Sequence, residues 1–344
     1  MAPLSANGAG ALAADPIKKI SVVAPIRNEG SNVEHFVSDL AAQDFPGSIE
    51  VLVADGISDD GSAERLRQAA WAAGLNVRVL ENPAGWVSQG LNACIREADG
   101  DLIVRLDCHS RYPADYLRRC AELSERTGAW NVGGRLVPTG TTPTERAVAC
   151  AMDSPFGGIG WTRATTEAVR RDSDTVTYGA FRPETFERVG LFDESLLRNQ
   201  DDEFTLRIRR AGGRVLLDSR IRVEYTPRGS YRGVFRQYFD YGFWKVKVMR
   251  KHRQVLSGRS LVPPLFVASL IVLVPLALFF PWARIVLALE LLAYAFGAVV
   301  FGFRSVRARR QPLRLLPRVV AVYPMFHLGY GLGLLWGLLK SIRV

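Results

Sequence analysis

Three apolar runs near the carboxyl end, residues 261–282, 285–303 and 319–339, constrain this 344-residue chain more than any other feature. Each is about 20 residues long, which as a helix matches the ~30 Å hydrocarbon core of a bilayer. Core helices of soluble domains are usually shorter than ~18 apolar residues, so the runs read as membrane spans rather than as a buried hairpin. Residues 1–260 instead carry charges at regular intervals. Glu290 is the one acid inside the runs and is expected either to pair with a neighbour or to serve function. His327 reads equally as a packed, hydrogen-bonded residue or a functional one.

The flanks of the runs carry the excess of the net charge of +10. Lys245, Lys247, Arg250, Lys251, Arg253 and Arg259 precede the first run; Arg304, Arg307, Arg309, Arg310, Arg314 and Arg318 separate the second from the third; Arg284 stands almost alone between the first two. Positive flanks stay in the cytoplasm. Residues 1–260 are therefore expected in the cytosol, with the first hairpin tip and the carboxyl terminus outside. The basic excess points to a lipid bilayer as partner and not to nucleic acid. In 231–252, Phe235, Tyr238, Phe239, Gly242, Val246 and Met249 recur at helical spacing among Lys and Arg. That pattern predicts an amphipathic helix in the membrane interface over 231–260, with packing on the soluble domain as the alternative. Residues 1–16 are rich in Ala, Gly, Ser and Pro and read as a flexible tail, without the charged start and apolar core of a secretory signal. Cys94, Cys108, Cys120 and Cys150 have no paired or metal-type spacing, so reduced thiols are expected.

Residues 17–230 read as one α/β domain. Strands are predicted over 19–25, 49–54, 76–80 and 101–106, and helices over 32–43, 62–73 and 87–98. Strands alternating with helices of this length imply a parallel sheet, with ligands beyond the carboxyl ends of the strands. Asp55 and Asp107 fall at two of those ends. No phosphate loop and no Gly-x-Gly-x-x-Gly after a strand is present, so ATPase and dehydrogenase chemistry lack their central feature. His and Cys show no zinc spacing. Asp107 and His109 form a carboxylate–imidazole pair of the kind that holds a divalent ion alongside a bound diphosphate. Asp201, Asp202 and Glu203 open a helical pattern, where a carboxylate serves either as general base or as a complement to the helix dipole.

In this order the residues resemble the family-2 glycosyltransferases of GT-A fold, over roughly residues 19–250. The resemblance rests on Val23-Ala24-Pro25-Ile26-Arg27-Asn28-Glu29, Ala54-Asp55-Gly56-Ile57-Ser58-Asp59-Asp60-Gly61, Asn82-Pro83-Ala84-Gly85, and Gly90-Leu91-Asn92-Ala93. It continues in Arg105-Leu106-Asp107-Cys108-His109, Asn199-Gln200-Asp201-Asp202-Glu203-Phe204, and Arg236-Gln237 followed by Tyr241-Gly242-Phe243-Trp244-Lys245. Within the family the chain looks most like the membrane glucosyltransferases of succinoglycan-type exopolysaccharide assembly. The usual Asp-x-Asp stands as Asp107-Cys108-His109, the usual Glu-Asp as Gln200-Asp201, and the Gln-x-x-Arg-Trp element of processive synthases is incomplete after Gln237.

The resemblance implies a Rossmann-like nucleotide-sugar-binding domain followed by an all-α transmembrane region (residues 261–344) in a bacterial plasma membrane. It implies an inverting hexosyltransferase using Mg²⁺ or Mn²⁺ and a nucleotide-sugar, UDP-sugar favoured, with a polyprenyl-linked saccharide as acceptor. Pro25, Asn28 and Glu29 would line the nucleotide pocket and Asp55 would contact the base. Gly85, Asn92, Arg105, Asp107, Gln237 and Trp244 would complete the donor site, Gln237 helping to close it. Asp107 and His109 would hold the metal. Asp201 would be the base, with Asp202 as fallback. A polyprenyl-phosphate sugar synthase and a non-catalytic nucleotide-sugar-binding scaffold are the rival readings; a transporter lacks enough spans.

Overall fold

The computed structural model describes residues 15–157, 170–173, 175–253 and 258–342. All but the last two residues of the expected tail, and part of the 141–174 segment, lie outside the described residues. The chain divides into two compact units: residues 1–137 with 165–225, and residues 138–164 with 226–344. Residues 138–164 group with the helical unit although they lie inside the α/β stretch of sequence.

The first unit is built on β1 (Lys19–Ile26), β2 (Ser48–Asp55), β3 (Val77–Glu81) and β4 (Leu102–Arg105), with α1 (Val33–Ala41), α2 (Ser62–Ala72) and α3 (Val87–Glu97) as crossovers. These four strands are parallel, in the order β3-β2-β1-β4. β1 is central and buried on both faces, which explains its near-continuous apolar run. Ile20, Val22, Ala24 and Ile26 face one apolar core together with Phe36 of α1; Val23 faces a second core with Leu91 of α3. Each buried Val, Leu, Ile or Phe among them contributes about 1.5–3 kcal/mol. The second half of the sheet was not legible as strands: β5 (Ser110–Arg111), β6 (Asn131–Pro138), β7 (Arg170–Asp172), β8 (Ala180–Phe181) and β9 (Val215–Tyr225). The order continues β4-β8-β6-β9-β5, with β7 on β9. β8 pairs antiparallel with β4, so the sheet changes from parallel to antiparallel there. Helices α4 (Tyr116–Thr127), α6 (Pro183–Val189) and α7 (Gln200–Arg210) complete the unit. All four cysteines of the chain are free and buried, and burial pushes the Cys94 and Cys120 thiols up to about 12, as inert thiols require.

The second unit contains α5 (Pro143–Asp153), a short 3₁₀ turn Pro155–Gly157, α8 (Tyr231–His252), α9 (Val262–Phe279), α10 (Pro281–Ala308) and α11 (Leu316–Ile342). The last three, two of them with short helical extensions, are long and apolar enough to cross a membrane. The first predicted run breaks at Phe280 because Pro281 opens a new helix, and Arg284 closes the end of α9 by donating to the Ala277 and Leu278 carbonyls. Glu290 is paired, its Oε1 lying 2.5 Å from Ser269 Oγ on the neighbouring helix. His327 is a packing residue: its nitrogens meet Tyr294 Oη at 2.8 Å and the Phe156 carbonyl at 2.9 Å. Phe156 is itself ringed by Tyr294, Phe301, Tyr323 and His327. Helix α8 packs along the second half of α11 over a seam of small residues. A Cβ at Gly333 would lie 2.0 Å from the Phe239 carbonyl, and one at Gly242 would lie 2.2 Å from that of Tyr330, so only glycine admits this approach.

Candidate active site at the seam of the sheet

Four loops at the carboxyl ends of the parallel strands carry Asn28, Glu29, Gly85, Asp107 and His109, with Asp55 at the end of β2, as strand topology requires. After β1, Asn28 takes a left-handed conformation (φ 56°), which Asn tolerates, and its Oδ1 accepts the Asp59 N–H at 3.0 Å. After β2, Asp55 accepts from Ser58 Oγ at 2.6 Å, and that hydroxyl accepts the Asn28 N–H at 2.9 Å. Asn28 and Asp55 thus hold the two loops to each other. Gly85, after β3, has φ 69° and lies against the Arg27 guanidinium, 2.9 Å from where a Cβ would stand. Pro25 pairs with Ala54 across β1 and β2, below these loops.

The loop after β4 is the centre of the site. Strand period places Arg105 and Asp107 on one face, and Arg105 is all but buried, at 4% exposure. Its guanidinium meets the Asp107 carboxylate at 3.3 Å and also pairs with Asp201 Oδ1. It lies over the Tyr178 ring, 5.8 Å from the centroid. Burial alone would lower the Arg105 pKa; Asp107 and then Asp201 raise it above its ordinary value, so it is a fixed cation. Burial pushes the Asp201 carboxyl above the usual range; Arg105 opposes that, while Asp107 and Asp202 add to it.

Asp201 arrives on the first turn of α7. That helix is anchored from beneath by Phe204, whose ring lies 4.5 Å from Phe192 and 5.4 Å from both Phe181 and Phe186. Asn92 does not face the site: it is 1% exposed. Its amide exchanges hydrogen bonds with the Phe192 backbone at 2.9 Å and reaches Glu194 at 2.8 Å, tethering the loop that leads to α7.

Asp107 and His109 share a β-turn closed by Ser110 N–H on the Asp107 carbonyl at 3.1 Å. They take different partners: Asp107 faces Arg105, while His109 Nδ1 lies 3.1 Å from Glu29 Oε1. Among the described residues no group of three or more His, Cys, Asp or Glu converges as a ready-made metal cluster. Two donors on one turn suit an ion that takes its remaining ligands from a bound diphosphate. The structure therefore brings Asp107 and Asp201 together on one arginine. Asp55 ends β2, two strand spacings or about 10 Å from β4. Gln237 and Trp244 belong to α8 in the other unit, where Gln237 donates to Tyr241 Oη at 2.9 Å and Trp244 stacks under Lys247. Tyr112 and Tyr178, both in contact with this loop, were missed; the spacing of a tyrosine five residues after Asp107 was the available signal.

With this geometry in view, the family comparison is decisive. Residues 21–179 match Glycosyl transferase family 2. The succinoglycan biosynthesis protein ExoA of Rhizobium meliloti is 30% identical over 328 residues, 94% of this chain and 95% of the relative. The chain belongs to glycosyl transferase family 2. An undecaprenyl-phosphate 4-deoxy-4-formamido-L-arabinose transferase of Klebsiella pneumoniae is 33% identical over 113 residues, 32% of this chain and 35% of the relative. Among solved structures, the mannosyltransferase PcManGT from Pyrobaculum calidifontis, in complex with GDP-Man and Mn²⁺, aligns with a TM-score of 0.58 at 20% identity, covering 94% of this chain and 88% of that one. The family-2 domain has the GT-A fold, a Rossmann-like mixed sheet, and is followed in the chain by apolar helices.

Proposed function

We propose that this glycosyltransferase moves a sugar from a nucleoside-diphosphate sugar to a hydroxyl of a polyprenyl-linked saccharide at the cytosolic membrane face, with inversion at the anomeric carbon. The observation that carries this reading is Arg105, which gathers the strand-end acid Asp107 and the helix-borne acid Asp201 into one pocket. Asp55 with the 28–29 and 58–60 loops receives the nucleoside. Asp107 and His109 would hold a Mg²⁺ or Mn²⁺ ion, which when bound supplies Lewis-acid neutralisation of the departing diphosphate. The Mn²⁺ in the mannosyltransferase of the same fold supports this assignment.

Asp201 accepts the acceptor hydroxyl proton as the oxygen attacks opposite the leaving diphosphate. Burial raises its pKa, which suits it to hold that proton, while the charge of Arg105 opposes the rise. The apolar helices anchor the enzyme where a lipid-linked acceptor lies, and the basic end of α8 meets its phosphates. The exopolysaccharide relative supports a saccharide acceptor. The test is transfer of labelled sugar from UDP- and GDP-sugars to a polyprenyl diphosphate saccharide, with the product anomer read by NMR. Asp201→Asn is expected to lower kcat by about 10²–10⁴-fold with donor binding retained; a near-wild-type rate removes the base assignment. The match to an undecaprenyl-phosphate transferase favours a second reading, transfer to a bare polyprenyl phosphate. A phosphate needs no deprotonation, so under it Asp201→Asn would leave most of the rate.

A further inference from the structure

Past the end of β4, the backbone of Asp107 has no strand partner of its own among the described residues, yet its groups are satisfied. Its N–H donates to the Tyr112 hydroxyl at 2.8 Å, and that hydroxyl donates back to the Asp107 carbonyl at 3.2 Å. A phenol has one proton and acceptor capacity, and both are spent on this one residue. The Tyr112 hydroxyl therefore stands in for a missing strand.

It is also held so that it has little freedom to follow the turn. The Tyr112 N–H donates to Asp39 Oδ2 at 2.9 Å, and Asp39 is itself forked by Arg111 at 2.8 Å. The Tyr112 ring packs edge-on against Tyr116 at 5.1 Å and Tyr178 at 6.1 Å, and is 5% exposed. Tyr178 in turn lies under Arg105 and accepts from Ser110 Oγ at 3.0 Å, at the far end of the same turn. Both ends of the 107–110 turn are thus pinned by buried tyrosine hydroxyls. An unpaired backbone N–H at a buried position costs about 1–3 kcal/mol, so without the phenol the turn would swing toward water.

We propose that Tyr112 is a positioning residue for the donor diphosphate: its hydroxyl fixes the backbone of Asp107 and so aims the Asp107–His109 pair before any ligand arrives. The inference rests on the donor-site reading above and names the group that orders it. Tyr112 touches no reacting atom; it acts through Asp107.

The test removes one oxygen. In the full chain in detergent, Tyr112→Phe is compared with wild type by calorimetric binding of UDP and GDP with Mn²⁺, by Mn²⁺ electron paramagnetic resonance, and by donor KM and kcat. Loss of an orienting partner of a metal-binding group typically costs about 10–100-fold in affinity; a fall of that size in Mn²⁺-nucleotide binding, with a matching rise in donor KM, is expected. Thr185→Val serves as control, since Thr185 Oγ1 is an equally buried hydroxyl that donates to the Trp130 carbonyl. It is expected to lower the melting temperature similarly while binding is retained. Tyr112→Phe binding within twofold of wild type, or an equal loss of binding in Thr185→Val, overturns the positioning role. Wild-type protein that binds neither nucleotide with Mn²⁺ overturns the donor reading itself, and this inference with it.

Discussion

The two halves of the sheet are built by different means. The parallel half, β3-β2-β1-β4, is made of crossover units whose loops all emerge at one edge, and it supplies Asp55, Asp107 and the Asn28 loop. The antiparallel half mixes the long strands β6 and β9 with strands of only two or three residues, and it supplies the frame: Tyr178, Phe181 and the loop into α7. The site sits where the two meet, at the β4–β8 pairing, and Arg105 is the residue that touches a carboxylate presented from each side. In the proposed reading, the parallel half captures the donor and the antiparallel half places the base.

The largest expected effect therefore follows from cutting that joint. Arg105→Met leaves two carboxylates facing each other without a cation, and removing one partner from a buried charge cluster costs about 3–5 kcal/mol. Chemical denaturation should show a loss of that order, together with loss of donor binding and of transfer; a variant of unchanged stability would mean the halves are held elsewhere. Asn92→Ala sharpens the contrast. It breaks the tether between α3 and the Phe192–Glu194 loop, at a cost of about 1–3 kcal/mol. It should lower kcat more than it raises donor KM, since the loop leads to Asp201 and not to the nucleotide pocket. The smallest effect is electrostatic. Burial and the Asp107 and Asp202 charges raise the Asp201 pKa, and the base works only when deprotonated, so activity falls as pH drops through that value. Asp202→Asn removes one of the raising charges, and the acid limb of kcat should move to lower pH. A limb that moves upward, or not at all, would place the titrating group elsewhere.

Most of the parallel half was legible because its chemistry is local. Apolar runs such as Ile20–Ala24, alternation with amphipathic helices, and acids at strand ends follow from period and burial alone, and the four strands and three helices fall within two residues of expectation at each end. In the antiparallel half, Ala180–Phe181 was not legible because it is too short to show a period and is a strand only through its neighbours β4 and β6. The site followed the same division. Asp107 and Asp201 announce themselves by position, whereas Tyr178 acts through a left-handed backbone (φ 57°) that no tyrosine advertises in sequence. Asn92, placed by resemblance among the donor ligands, faces inward because its amide is consumed by a loop 100 residues away. The three apolar runs were plain from composition, but the glycine seam between α8 and α11 was not, since each glycine there matters only for the carbonyl opposite it.

That seam has a bearing on how the protein can be handled. Phe235, Phe239 and Phe243 meet the final helix through their backbone carbonyls, with glycines 329, 333 and 337 opposite, and the Tyr238 ring stacks on Phe326 at 4.1 Å. Cutting the gene to discard the greasy end, the usual route to a water-soluble enzyme, would strip the lining from α8 and leave the buried Tyr238 and Val246 uncovered. Residues 329–337 are thus the inner wall of a segment encoded about ninety residues earlier, and the two have to be kept or lost together.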